Sequence, residues 1–157
     1  MTRTLGLARA AGVLTLVSVA LCAHATDASR SEIVGNWLTQ DKSGIIEMTE
    51  AADGTFEGRI VGGNQPTRLD PMNPDATLRA KSLKGRVIVR GLRPDGPHKW
   101  IGGTIYDPNN GRLYKCNAEL EGADRLKLRG YIGFSLLGRT ELWSRYLGTQ
   151  MDLSPPH

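Results

Sequence analysis

Apolar and polar residues alternate along most of this chain with a period of two, the pattern of strands buried on one face only. The plainest case is Arg125-Leu126-Lys127-Leu128-Arg129-Gly130-Tyr131-Ile132, with bases on one side and apolar residues on the other. Thr55 to Val61 repeats it: Phe56, Gly58 and Ile60 share one face, and Glu57 and Arg59 the other. Ile45 to Glu50 precedes that run, separated from it by the turn Ala52-Asp53-Gly54. Arg86 to Arg90 is predicted as a strand ended by Gly91, and Trp100 to Tyr106 as one ended by Asp107-Pro108-Asn109-Asn110-Gly111. Arg112 to Leu120, the turn Glu121 to Asp124, and Arg139 to Tyr146 continue the series, which Gly35 to Thr39 opens. About eight strands joined mostly by hairpin-length turns predict an all-β antiparallel fold, an up-and-down barrel or a sandwich. Gly58, Gly103 and Gly130 fall inside strands, where a missing side chain allows sharp curvature or close backbone approach.

Two segments leave this rhythm. Gly62 to Leu83 has no alternation and is too long for a hairpin. Within it, Asn73-Pro74-Asp75 predicts a short helix through Arg79, with Asn73 as N-cap. With Met72, Leu78 and Leu83 as apolar contacts, the segment is expected to act as a lid on a barrel mouth or as a static plug. Residues 148–157 form a polar, proline-containing tail expected to fray.

The N-terminus carries an address. Arg3 and Arg9 precede an apolar run from Ala10 to Cys22, and Ala23-His24-Ala25 is a small-x-small cleavage site. Residues 1–25 therefore read as a secretory signal peptide, too short in apolar length for a spanning helix. Residues 26–147 are expected to form one barrel domain, exported to the periplasm or secreted and not integral to the membrane. Removing the leader takes two of the 20 bases and none of the 16 acids, so the net charge falls from +4 to +2. That charge gives no reason to expect a nucleic-acid partner.

The leader also takes Cys22 and leaves Cys116, so no internal disulfide is expected. His98 and His157 remain, too few for a His/Cys zinc site. Asp70, Asn73 and Asp75 lack the alternation of a calcium loop, Asn73 and Asp75 read as capping and dipole residues, and Asp107 to Gly111 reads as a turn, so no metal or cofactor is expected. Glu47, Glu57, Glu119 and Asp124 are scattered, and Ser135 and Ser144 lack a basic partner, which argues against an enzyme. Cys116 shares a strand face with Tyr114 and Ala118 and reads as buried. Lys81, Lys84, Arg86, Arg90 and Arg93 form a basic stretch, either a solvated face or one that meets phosphate head groups.

Several ordered blocks carry a family resemblance. They are Gly35-Asn36-Trp37, the stretch from Leu69-Asp70 through Asn73-Pro74-Asp75 to Leu78-Arg79, and Gly102-Gly103 with Ile105-Tyr106-Asp107-Pro108 and Asn110-Gly111. Leu128, Gly130-Tyr131, Leu137-Gly138-Arg139-Thr140, Trp143 and Arg145 complete them. Together they resemble the bacterial domain-of-unknown-function family number 2147, small exported proteins without an established activity. The resemblance implies a calycin-like barrel, the architecture of the lipocalins. Gly35 and Trp37 near the start, with Arg145 or Arg139 and Trp143 near the end, resemble the lipocalin closure, in which an arginine covers a tryptophan.

In such a barrel the expected function is non-catalytic binding of a small apolar or amphiphilic molecule. Candidate ligand contacts are Phe56, Ile60, Met72, Leu78, Trp100, Tyr106, Tyr114, Tyr131 and Phe134. One alternative is a cell-envelope protein with a filled barrel that meets lipid or protein on its surface. Another is an enzyme with a cryptic carboxylate site.

Overall fold

A computed structural model describes residues 32–134 and 136–153. Eight antiparallel strands follow one another: β1 (Gly35–Leu38), β2 (Gly44–Glu50), β3 (Phe56–Gly63), β4 (Val87–Pro94), β5 (Lys99–Asp107), β6 (Arg112–Leu120), β7 (Arg125–Tyr131) and β8 (Gly138–Arg145). Each pairs with the next, and β8 returns to β1 through Trp37↔Arg145 and Leu38↔Ser144. The sheet thus closes into an up-and-down barrel without free strand edges. The segment read as a signal peptide lies outside the described residues.

Alternation decides the interior. One half of the barrel is packed solid by Trp37, Met48, Phe56, Leu92, Trp100 and Leu126, all at most 1% exposed. Phe56 and Trp100 meet edge to face, with ring centroids 6.1 Å apart. Many outward positions are charged, among them Glu47, Arg59, Arg90, Lys115 and Lys127, with Ile101, Leu113 and Leu142 interspersed, unlike the continuous apolar outer band of a membrane-spanning barrel. No helix among the described residues is long and apolar enough to cross a membrane.

Three sequence expectations need correction. β4 does not stop at Gly91: Gly91 takes φ +69°, and the β3–β4 register slips between Phe56↔Leu92 and Gly58↔Val89. The glycine therefore sits in a bulge that bends the strand without ending it. The helix in the long connection is a single 3₁₀ turn, Ala76–Leu78, capped by Asp75, whose side chain accepts from the Thr77 amide; Asn73 is not its cap. The tail is docked as far as residue 153, since Gly63 and Leu153 donate to the carbonyls of Met151 and Gly63 respectively. A side chain at Gly62 would collide with the Met151 carbonyl at 2.0 Å, so that close approach requires glycine.

Cys116 lies in the core at 0% exposure, and burial pushes its thiol up to about 12 from 9.0. At neutral pH the buried group is therefore a thiol, with far less thiolate than an ordinary exposed cysteine. In a Cys22→Ala chain, a thiol reagent is expected to label the folded protein at least about a hundredfold more slowly than the denatured one. Rapid stoichiometric labelling of folded protein would place the thiol at the surface instead.

Candidate functional site

The barrel has two unlike ends. At the sealed end, Gly35 opens β1 with φ +126°, and a Cβ there would stand 3.1 Å from the Arg145 guanidinium. Glycine therefore supplies both the backbone shape and the room. The Arg145 guanidinium lies 4.2 Å from the Trp37 ring centroid. It also donates to the carbonyls of Ala123 at 2.7 Å, Glu32 at 2.6 Å and Val34 at 3.2 Å. Trp37 donates its indole N–H to the Ile33 carbonyl at 2.8 Å. A planar cation is used here as a clasp, stacked on an indole while its fork ties three chain segments together.

At the other end the interior is hollow. A cavity of about 750 Å³ opens between the β1–β2, β3–β4, β5–β6 and β7–β8 connections. Its walls come from alternate strand residues, Ile46, Ile60, Ile88, Ile105, Leu128 and Trp143. Tyr106, Tyr114 and Tyr131 line it toward the mouth, as do the charged Arg68, Lys84 and Arg139. Glu141 also lines it, accepting from the Trp143 indole N–H at 3.3 Å and lying 3.7 Å from Arg139 Nε.

Gly130 keeps this space open. A Cβ at Gly58 would lie 2.8 Å from Met48 Sδ, and one at Gly103 2.7 Å from Leu92. At Gly130 the nearest atom would be Ile105 Cγ2 at 3.6 Å, an ordinary contact. Two of the strand glycines thus permit close packing, and the third borders the cavity.

The long β3–β4 connection is held against the barrel by a polar knot. Asp70, 0% exposed, accepts from the Tyr106 hydroxyl and from Asn73 Nδ2, both at 2.7 Å, and pairs with Arg86 Nε at 3.3 Å. Burial, and then the hydrogen bond to Asp70, raises the Tyr106 phenol from 10.0 to about 12. Met72 is packed so that a Cβ at Gly111 would lie 1.9 Å from its carbonyl.

The structure divides the ligand contacts expected from sequence. Ile60, Tyr106, Tyr114 and Tyr131 line the cavity. Phe56 and Trp100 do not: their strand positions lie toward the sealed end, where they fill the core. Met72 and Leu78 do not either, because the knot holds their segment beside the mouth and leaves Met72 half exposed. Phe134 stands 80% exposed on the β7–β8 connection. Of the two arginines considered for closure, Arg145 covers Trp37, whereas Arg139 lies at the opposite end of β8, at the mouth. Trp143 is buried in the cavity wall. The basic stretch is split: Lys84 reaches the mouth, Arg86 enters the knot, and Arg90 pairs with Glu57 on the outer face. Ile46, Ile88, Ile105, Leu128 and Glu141 are not among the ligand contacts expected from sequence, although the inward parity of their strands marks most of them.

A closed eight-stranded barrel, clasped by an arginine on a tryptophan at one end and hollow at the other, defines the calycin class of cavity barrels. Within it, the chain belongs to the bacterial family described as uncharacterized protein conserved in bacteria (DUF2147), whose model matches residues 35–145. Among solved structures it is similar to a lipocalin-family protein from the human pathogen Helicobacter pylori. The two share 26% identity with a TM-score of 0.66, over 72% of this chain and 82% of that one. No curated protein matches the sequence.

Proposed function

We propose that this protein is exported and carries a small apolar or amphiphilic molecule in its barrel without acting on it chemically. The observation that carries the reading is the cavity: about 750 Å³, open at one end, apolar in its walls, with phenols and charges toward the mouth. That volume lies within the range of sites that enclose one small molecule. The distribution suits a ligand with an apolar body held inside and a polar end at the rim. The kinship in fold with a lipocalin-family protein supports the same reading. A barrel filled throughout, acting only by its outer surface, does not fit a hollow half. The leader at residues 1–25 supports export, and N-terminal sequencing beginning near Thr26 is the expected result.

Gly130 provides the test of the cavity. Its backbone is compatible with any side chain, and its surroundings leave room for one. Gly130→Leu is expected to weaken binding of an environment-sensitive apolar dye about tenfold or more. The melting temperature should hold or rise, because the new side chain fills space and replaces a strand glycine. Undiminished dye binding in a folded Gly130→Leu protein would move the ligand site elsewhere. Native mass spectrometry of protein purified from its own host should show a bound small molecule, lost in the same variant.

A further inference from the structure

One lip of the mouth is apolar and bare. The β7–β8 connection presents Ile132 at 60%, Phe134 at 80%, Leu136 at 86% and Leu137 at 76% exposure. Four large apolar side chains on one short connection are a patch of the kind that marks an interaction site. Ile132, Leu136 and Leu137 also border the cavity, so the patch adjoins the opening. The loop is tied down at its base, where Arg129 donates to the Leu136 carbonyl at 3.1 Å and to Thr140 Oγ1 at 2.9 Å.

Charge is distributed along the barrel axis in a matching way. The three hairpin turns at the sealed end contain Asp53, Asp95, Glu121 and Asp124 and no lysine or arginine. At the mouth, the long connection alone holds Arg68, Arg79, Lys81 and Lys84 against Asp75, while Arg86 and the buried Asp70 pair with each other. Arg139 stands beside the apolar lip with its side chain 83% exposed. A negative surface would therefore attract the mouth and repel the sealed end, turning the opening toward itself.

We propose that the mouth docks on an anionic phospholipid surface, with Phe134, Leu136 and Leu137 entering the interfacial layer and Arg139 and the bases of the long connection facing the head groups. Exposed apolar side chains at one rim of a basic mouth are a combination that binds such a surface peripherally: burial supplies the hold, and charge the attraction and orientation. A protein partner with a plain apolar groove would leave the axial charge asymmetry without a use. Docking rests on the lip alone and not on the occupancy of the cavity. It would set the opening against a membrane, from which an amphiphile can enter or leave without crossing water.

Cosedimentation with vesicles tests this, using equal parts phosphatidylglycerol and phosphatidylethanolamine, against vesicles of phosphatidylcholine. All chains compared carry the same N-terminus. The unaltered protein is expected to sediment with the anionic vesicles, and less so at raised salt. Phe134→Ser/Leu136→Ser should lower the partition about tenfold with an unchanged melting temperature, since both side chains are already in solvent. Lys84→Glu/Arg139→Glu should lower it at low salt. In a Phe134→Trp protein, lipids brominated in their acyl chains should quench the added fluorescence. Gly130→Leu should sediment as the unaltered protein does, so a failure of the cavity reading would leave docking standing. Protein that stays in the supernatant with both vesicle types would overturn the proposal and turn the lip toward a protein partner. Sedimentation indifferent to the two serines would overturn it as well, leaving adsorption by charge alone.

Discussion

Trp37→Ala is expected to destabilise the protein by about 3–5 kcal/mol, the usual cost of deleting a large aromatic side chain from a core. The side chain is 0% exposed, and three kinds of interaction end with it. Its apolar area leaves the packed half of the barrel. Its hydrogen bond to the Ile33 carbonyl disappears. Arg145 loses the ring beneath its guanidinium, although its three carbonyl partners remain. Against a typical stability of about 5–15 kcal/mol, this is a large fraction. Arg145→Lys should cost less, because a lysine keeps a charge near the ring but cannot hold three carbonyls with a planar fork. Urea unfolding of the two variants and the parent measures both effects. A loss below about 1 kcal/mol for Trp37→Ala would mean that the ring does not close the barrel. Dye binding in whatever fraction of the variant remains folded should be little changed, since Trp37 does not line the cavity.

Local chemistry explains what could be read from the sequence. Each strand was legible because alternation and turn residues are written within a few neighbouring positions. Closure was partly legible: Trp37 sits on the first strand, and residues 139, 141, 143 and 145 share one face of the last. That face does not say which end of the barrel each residue occupies, which is why Arg139 and Arg145 were equivalent until the register Trp37↔Arg145 separated them. The same ambiguity affects Phe56 and Ile60. Both point inward on β3, yet Phe56 falls in the packed half and Ile60 in the hollow one. Depth along a barrel follows from register and shear, which are properties of all eight strands together. The apolar lip was visible only in part. Phe134 stood out as an aromatic, but exposure of its neighbours depends on how far the hairpin projects beyond the rim.

The long connection was the hardest to read, and the second large effect is expected there. Asp70→Ala should cost about 3 kcal/mol, the scale of removing one partner from a buried ion pair. The carboxylate accepts from Tyr106 and Asn73 and balances the charge of Arg86, whose Nε makes no hydrogen bond, and its loss would leave the Arg86 charge facing the Tyr106 and Asn73 dipoles without compensation. Tyr106 and Arg86 lie far from Asp70 in sequence and only Asn73 is close, so Asp70 reads from sequence as part of a small polar loop, which favours neither a lid nor a plug. The knot favours a segment held in place beside the mouth. Hydrogen exchange should accordingly show the amides of Asn73 and Leu83 protected in the parent and exchanging faster in Asp70→Ala, with the strands at the sealed end less affected. Alkaline titration gives a second reading of the same knot. The Tyr106 phenol is raised in the folded protein from 10.0 to about 12, so the proton is held more tightly folded than unfolded. Its contribution is fully present below pH 10 and declines as the pH approaches 12. The stability difference between the parent and Tyr106→Phe should therefore be constant through neutral pH and shrink in that alkaline window. A difference that stays flat to pH 12, or fast exchange of Asn73 and Leu83 in the parent, would show that the connection is not held by this knot and would restore a moving lid over the mouth.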